Sequence, residues 1–268
     1  MGTQSQASSE RWTKEQLKLA FHLYCQLPFG RLHSRNEEIV RLASLIKRTP
    51  SAVAMKLVNF ASLDPAITNS GRTGLGNASA LDREVWAEFH ANWEKLALEC
   101  EALREQLGAS FPKESLDEVE SPDAPTVDDY SGETRRVVIE QRIKQYFFRR
   151  SVLSSYRGRC CMSGLSEPRL LVASHIVPWS KDKANRLNPS NGLCLSAIHD
   201  RAFDKGLIAL SDDFRVLLSK ELRTRDDALV KEVFLPLEGR AIEMPERFVP
   251  DLAFIKSHRK SLFVDNNV

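Results

Sequence analysis

The stretch ASHIVPWSKDKANRLNPSNGLCLSAIHD, residues 173–200, decides the fold of the C-terminal half of this chain. The run RLLVASHI is rich in aliphatic and β-branched residues and predicts a strand that ends near His175. The segment NRLNPSNGLCLS predicts a loop, and AIHDRAFD predicts a short helix closed by Gly206. Two strands, a loop and a helix in so short a space predict a ββα unit.

Three polar side chains of this unit have the residue types that phosphodiester hydrolysis requires. His175 suits a general base, because an unperturbed imidazole pKa of about 6.5 leaves the ring largely neutral at cellular pH. His199 on the facing helix can hold a metal ion through a ring nitrogen. Asn191 can fix the intervening loop through hydrogen bonds to backbone. The alternative is that both histidines simply pack a small irregular domain.

The strings ASHIVPW, RLNPSNGLCL and IHDRAFDKGLI resemble the HNH endonuclease family. The resemblance extends over residues 136–263 and includes the basic segment IKQYFFRRSVLSSYRGRC and the closing FIKSHRKSLF. It implies a ββα-metal nuclease in which His175 is the general base, Asn191 orients the loop and His199 binds the metal. It also implies products with a 5′-phosphate and a 3′-hydroxyl.

The chain departs from this family at the expected metal site. Many members place Asp or His before the base as a second ligand, whereas this chain has Ser174. We therefore expect Mg²⁺ or Mn²⁺ to be held by His199 with water, phosphate oxygens and a contribution from Ser174, Asp200 or Asp204. A helix-capping role is the alternative for Asp204.

The cysteine pattern argues against the zinc knuckles of some HNH relatives. Cys160 and Cys161 are adjacent and Cys194 stands alone, so four correctly spaced ligands are missing. We predict no structural zinc knuckle and expect these thiols to be small core residues. The five cysteines of the chain are odd in number and scattered, which favours a reducing, cytoplasmic location.

The N-terminal part predicts a helical DNA-binding domain. Thr13 can cap a helix KEQLKLAFHLYCQL, Asn36 can cap EEIVRLASLIK, and Ser51 opens AVAMKLVNFASL, an order typical of a helix-turn-helix. The segment KRTPSAVAMKL is similar to Myb-like and winged-helix DNA-binding units. We expect DNA contacts from the third helix and the loop after it, at Arg48, Lys56, Asn59 and Arg72. An ordinary three-helix core has the same periodicity and stays the alternative.

A long helix, residues 81–107, is predicted to follow and to end at Gly108. Residues 113–133 then hold eight acidic residues and one lysine, and their composition predicts a flexible linker. We therefore predict an α+β protein with a helical domain over residues 11–107, an acidic linker over 108–134 and an HNH nuclease domain over 135–264.

The nuclease domain begins with a strongly basic segment. Residues 135–159 carry eight arginines or lysines against one glutamate. This pattern fits either a phosphate-binding surface or a solvated helix face. We expect Arg149 and Arg150 to contact DNA, and we expect the same of Arg186 in the loop.

These features together predict a DNA endonuclease that acts on double-stranded DNA. No run of 18 apolar residues occurs, so no membrane span is predicted. A recognition domain joined to an HNH module indicates a restriction endonuclease, including one that reads modified bases. The alternatives are a DNA-binding regulator with weak or absent nuclease activity, suggested by Ser174, and a repair or mobile-element nuclease. Double-strand cleavage with one site per chain would favour a homodimer.

Overall fold

The chain divides into two compact units, Met1–Arg150 and Ser151–Val268. The computed structural model describes residues 11–69, 71, 76–109 and 132–265, without the side chain of Arg135. Helices combined with two small antiparallel sheets define an α+β fold. The domain limits 11–107, 108–134 and 135–264 stay predictions, because residues 110–131 lie outside the described residues.

The described part of the first unit is helical. Its helices are α1 (Lys14–Gln26), α2 (Glu37–Leu45), α3 (Pro50–Ala61), α4 (Pro65–Asn69), α5 (Ala80–Ala91), α6 (Trp93–Gln106) and α7 (Gly132–Ser155), the last crossing the unit boundary. A capping box between Thr13 and Gln16 starts α1. Phe21 is fully buried and meets the rings of Phe60 and Phe89 edge-on, so aromatic packing joins α1, α3 and α5.

Two helix boundaries differ from the sequence prediction. The single helix predicted over residues 81–107 is interrupted at Asn92, which has φ −158° and ψ 85° and so leaves the helical conformation. The Asn92 side chain accepts a hydrogen bond from the Lys95 backbone, which starts α6 as α5 ends. The third helix begins at Pro50 with Thr49 as its cap, earlier than the predicted start at Ser51.

The second unit contains the predicted ββα arrangement. Its elements are β1 (Leu171–His175), β2 (Gly192–Ser196), α8 (Ala197–Asp204), β3 (Ile208–Leu210), β4 (Val216–Leu218), α9 (Lys220–Arg223), α10 (Ala228–Val233) and α11 (Leu252–Ser261). β1 and β2 pair antiparallel, with Leu171 opposite Ser196 and His175 opposite Gly192. Residues 192–196 were predicted as loop, and this was wrong: every residue of GLCLS is buried in the hairpin.

Gly206 fixes the end of α8 against the C-terminal helix. Its φ of +68° suits a glycine just after a helix. A Cβ built at this position would lie 1.9 Å from the carbonyl oxygen of Leu262, so a side chain cannot fit without a backbone shift. The Gly206 carbonyl accepts a hydrogen bond from Val264. The chain after α11 is therefore packed directly onto the end of the ββα unit.

His258 on α11 makes the stability of the second unit sensitive to acid. Its buried ring stacks on Phe203 with centroids 3.7 Å apart, and Nε2 lies 3.1 Å from the Phe203 carbonyl oxygen. Burial lowers the pKa of His258 from 6.5 to about 4, although the Phe203 carbonyl acts in the opposite direction. The folded state therefore disfavours the protonated ring, and stability present above pH 6.5 is lost as the pH falls towards 4.

We expect His258 to account for a loss of about 2 to 3 kcal/mol of unfolding free energy between pH 7 and pH 4.5. Urea unfolding followed by hydrogen exchange in second-unit peptides measures this loss. His258→Gln should flatten the pH dependence, whereas the matched change at the exposed His33 should not. An unchanged acid slope in His258→Gln would contradict the prediction.

Candidate active site

His175 ends β1, where its ring is held by the loop that follows. Its Nε2 lies 2.9 Å from the carbonyl oxygen of Arg186. The ring of Trp179 meets the imidazole edge-on, with centroids 5.4 Å apart. The guanidinium of Arg186 in turn lies 5.2 Å above the Trp179 ring. Arg186 therefore contacts His175 through its backbone carbonyl and Trp179 through its side chain.

These contacts define the protonation state of His175. A carbonyl oxygen only accepts hydrogen bonds, so Nε2 must carry the proton and the lone pair of the neutral ring resides on Nδ1. Burial lowers the pKa of His175 to about 4, with the Arg186 carbonyl opposing this shift. The ring is therefore neutral near pH 7, which is the form that a general base requires.

Asn191 closes the loop between the two strands. The side chain is fully buried; its Oδ1 accepts a hydrogen bond from the Val177 backbone at 2.8 Å. Its Nδ2 donates to the carbonyl oxygens of Val177 and Asn185 at 3.2 and 3.3 Å. The Asn191 carbonyl accepts from Ile176 at 2.9 Å. Asn191 thus ties the residues directly after His175 to the far end of the loop.

Removing the Asn191 side chain should loosen this loop. Asn191→Ala leaves the Val177 amide and two carbonyl groups without their partner, which costs on the order of 3 kcal/mol. We expect faster hydrogen exchange at the Val177 amide, measured by NMR. Asn188→Ala is the matched control, because the Asn188 side chain accepts a local hydrogen bond from the Ser190 backbone. Equal protection of Val177 in the wild type and Asn191→Ala would show that the side chain does not hold the loop.

Asp182 and Trp179 also shape the loop, although the sequence analysis assigned neither to the site. The Asp182 carboxylate accepts hydrogen bonds from the backbone of Ala184 and Asn185, both at 3.1 Å, and from the Asn185 side chain at 2.8 Å. A signal was present in the sequence, because Asp in a short polar segment is typical of a turn that its own side chain closes.

His199 lies in the first turn of α8, at the opposite end of the hairpin from His175. It follows Ser196, which pairs with the first residue of β1. Its Nδ1 lies 2.7 Å from Ser196 Oγ and 3.8 Å from Cys160 Sγ, and the ring meets Phe234 edge-on. Its Nε2 is buried without a hydrogen-bond partner among the described residues. The described contacts of His175 and His199 have no group in common.

Cys160, Cys161 and Cys194 are buried free thiols, and Cys160 lies beside this histidine. The Cys161 backbone donates to the Cys194 carbonyl at 2.8 Å, which attaches the segment before β1 to β2. Burial would raise the pKa of Cys160, but hydrogen bonds from His199 and Ser163 bring it down to about 6. The described contacts of His199 are therefore with the cysteine-containing interior of the unit.

Asp200 and Asp204 lie one turn apart on α8. Asp200 lies beside Ser174, the residue that precedes His175 on β1. Burial raises the pKa of Asp200, while Ser174 and Arg201 act in the opposite direction. The buried Ser174 hydroxyl approaches this carboxylate without a well-formed hydrogen bond. Partial burial and the Asp200 charge raise the pKa of Asp204 to about 6.

This group of oxygens fits a hard divalent cation. Mg²⁺ and Mn²⁺ prefer carboxylate and water oxygens, and Mg²⁺ is commonly held by only one or two carboxylates together with substrate phosphates. Two neighbouring carboxylates that repel each other would be relieved by such an ion. Within the described ranges no cluster of three or more His, Cys, Asp or Glu side chains is arranged to hold a metal. Any ion here would therefore depend on water or phosphate for much of its coordination.

The residues expected to read DNA in the first unit are engaged inside that unit. Arg48 donates to the Arg11 carbonyl and to Gln16, at 2.9 and 3.0 Å, and lies over the Trp12 ring. Lys56 binds the fully buried carboxylate of Asp82 at 2.9 and 3.0 Å. Asn59 is 5% exposed, which contradicts its expected place on an exposed helix face. Arg72 lies outside the described residues.

The remaining predicted DNA contacts also have internal partners. Arg150 donates to both carboxylate oxygens of Glu38, at 2.9 and 2.7 Å, and to the Tyr146 hydroxyl. Arg149 is half-buried. The Arg186 side chain stacks on Trp179 and donates to the Lys183 carbonyl at 3.3 Å. Each of these cations would have to exchange an internal contact for a phosphate.

Comparison with known proteins defines the class to which this site belongs. Residues 160–211 match the family model for HNH endonuclease, and the matched segment contains β1, β2 and α8 with His175, Asn191 and His199. The chain therefore contains an HNH endonuclease domain. Nucleases of this type generally use a divalent metal, and the domain implies a DNA substrate. No curated protein matches the chain. None of the described helices is both long and apolar enough to cross a membrane.

Proposed function

We propose that this protein is an HNH-type DNA endonuclease that hydrolyses phosphodiester bonds of double-stranded DNA with Mg²⁺ or Mn²⁺. The observation that carries the proposal is the neutral His175 ring, held by the Arg186 carbonyl directly beside Ser174 on β1. A base with a fixed tautomer next to an oxygen-rich cation site is what metal-assisted hydrolysis of a phosphodiester needs.

Each residue of the site has a distinct role in this proposal. His175 Nδ1 accepts a proton from a water molecule whose oxygen attacks phosphorus. The bond from phosphorus to the 3′ oxygen breaks and that oxygen takes up a proton from water, which leaves a 5′-phosphate and a 3′-hydroxyl. Asn191 keeps His175 in place by fixing the loop. Asp200 and Asp204, with Ser174, would hold the divalent ion, which supplies stabilisation of the charge that develops on the phosphate oxygens.

The assignment of the metal ligands revises the expectation for His199. Its Nδ1 is next to Ser196 and Cys160, and its ring packs against Phe234. The adjacent Asp200 instead lies beside Ser174, the neighbour of the base. We therefore propose the two aspartates as the principal ligands and a structural role for His199 within the unit.

As a biological role we propose restriction of foreign DNA, with modified bases as one form of target. A helical first unit, which we propose as the DNA-recognition unit, precedes the HNH match and supports this choice. The decisive experiment is a plasmid-cleavage assay of the pure protein on unmodified, methylated and hydroxymethylated DNA, with Mg²⁺, Mn²⁺ and a chelator. Metal-dependent cleavage of any of these substrates would support the endonuclease. Cleavage limited to modified DNA would support modification dependence.

A DNA-binding regulator is the second candidate, favoured by the serine in place of a metal ligand. In that case the same DNA would be bound with useful affinity but left intact with every metal. Binding measured in chelator, alongside the cleavage assay, separates the two functions. Failure to cut any substrate would sink the endonuclease proposal.

A further inference from the structure

Many cations of the second unit are paired with a carboxylate. Salt bridges join Arg157 to Glu243, Arg169 to Glu167, Arg215 to Asp213, Arg223 to Asp265, Arg225 to Glu221, Lys231 to Asp226, and both Lys256 and Arg259 to Asp212. To bind a phosphate, each of these side chains would have to share or give up its partner.

Four exposed cations around the candidate active site differ from this pattern. Lys181, Lys183, Arg201 and Lys205 are all exposed, and none forms a salt bridge within the part of the chain that the structure describes. Arg201 and Lys205 are also spaced four residues apart on α8, where like charges destabilise a helix. An anion that binds between them would convert this cost into a favourable interaction.

These cations lie on two elements of the candidate site, the loop after β1 and α8 with the residue that follows it. Lys181 and Lys183 flank Asp182, in the loop that is attached to His175 through the Arg186 carbonyl and closed by Asn191. Arg201 and Lys205 each follow one of the two proposed metal ligands on α8. Arg201 lies close enough to Asp200 and Asp204 for its charge to act on both carboxylates, and Lys205 does the same for Asp204.

We propose that Lys181, Lys183, Arg201 and Lys205 bind the phosphate backbone of duplex DNA on either side of the scissile bond. The proposal rests on the endonuclease function but goes beyond it, because it assigns DNA affinity to residues outside the HNH motif. Lysine and arginine at exposed positions act on phosphates as charges without reading bases. Binding by these four residues is therefore independent of DNA sequence.

The test compares two double variants of the full-length protein, Lys181→Gln with Lys183→Gln, and Arg201→Gln with Lys205→Gln. Binding to a short fluorescent DNA duplex is measured by anisotropy in chelator over a salt titration. Each phosphate contact contributes about 0.9 to the slope of log affinity against log salt, so each double variant should lower this slope by about 2. At about 0.1 M salt the affinity should fall on the order of 50-fold.

The matched control is Arg225→Gln with Lys231→Gln, which removes two exposed cations of the same unit that have carboxylate partners. The control should keep the wild-type slope. A wild-type slope in either test variant would overturn the proposal for that side of the site. Because binding is measured without cleavage, a protein that binds through these residues but cuts nothing would refute the nuclease and leave this proposal intact. Tighter binding of single-stranded RNA than of duplex DNA would overturn the choice of partner.

Discussion

Replacing His175 with alanine is expected to slow DNA cleavage on the order of 10²–10⁴-fold, the usual cost of losing a general base. The reason lies in the tautomer: the Arg186 carbonyl binds the protonated Nε2 and leaves the lone pair on Nδ1 for the attacking water. DNA affinity should change little, because the neutral ring adds no charge to the binding surface. Single-turnover cleavage of plasmid DNA, with binding measured in chelator, gives both quantities.

Two comparisons make the His175 experiment specific. His33→Ala, at an exposed histidine of the first unit, should cleave at the wild-type rate. Added imidazole should restore part of the activity of His175→Ala, because a base in solution can enter the space left by the ring. Wild-type cleavage by His175→Ala would refute the assignment. Loss of activity together with loss of folding would indicate a packing role instead.

The combined change of Asp200→Asn and Asp204→Asn is expected to reduce cleavage on the order of 10³-fold, since metal-bound charge stabilisation is worth several kcal/mol. Each single change should raise the metal concentration needed for half-maximal cleavage. DNA affinity in chelator should stay equal or increase, because two negative charges near the phosphate backbone are removed. Unfolding would reduce both cleavage and DNA binding, so lower cleavage with equal or higher DNA affinity would distinguish the loss of metal ligands from unfolding.

His199→Gln provides the contrasting variant. We expect it to reduce stability through loss of the contacts with Ser196 and Cys160, without changing the metal dependence of cleavage. Asp213→Asn is the matched surface control for the aspartate changes, because this carboxylate lies in the turn between β3 and β4 and pairs with Arg215. Metal-dependent cleavage that survives the two aspartate changes but disappears in a stably folded His199→Gln would return the ligand role to His199.

The sequence predicted the first strand and the helix of the ββα unit because each of these two elements has a local signal. The run RLLVASHI, rich in aliphatic and β-branched residues, predicted a strand that ends near His175. AIHDRAFD has the length of a short helix and is followed by Gly206. The second strand was missed because GLCLS is apolar at nearly every position, and such a short buried run has no alternation that separates it from other buried segments.

The choice between His199 and Asp200 as the proposed metal ligand depends on packing as well as on the motif. Neighbouring residues on a helix point about 100° apart, so His199 and Asp200 face different surroundings although they are adjacent. Which of them faces the base depends on how α8 packs against β1 and Cys160, and these contacts join segments far apart in the chain. The DNA-contact prediction for Lys56 and Asn59 depended on long-range packing in the same way, since Asp82 lies beyond the helix that carries them.

In the loop after His175, different residues set the position of the imidazole and the positive charge that we propose binds DNA. Substitutions can therefore change one of these two properties without the other. Its ends are fixed by Asn191 and by the Arg186 carbonyl, while Lys181 and Lys183 project from the segment between them. Exchanging or inserting residues in that segment would change the proposed electrostatic affinity for DNA phosphates without moving the His175 imidazole. A few surface substitutions in this segment would therefore strengthen or weaken the proposed DNA binding without changing the position of His175.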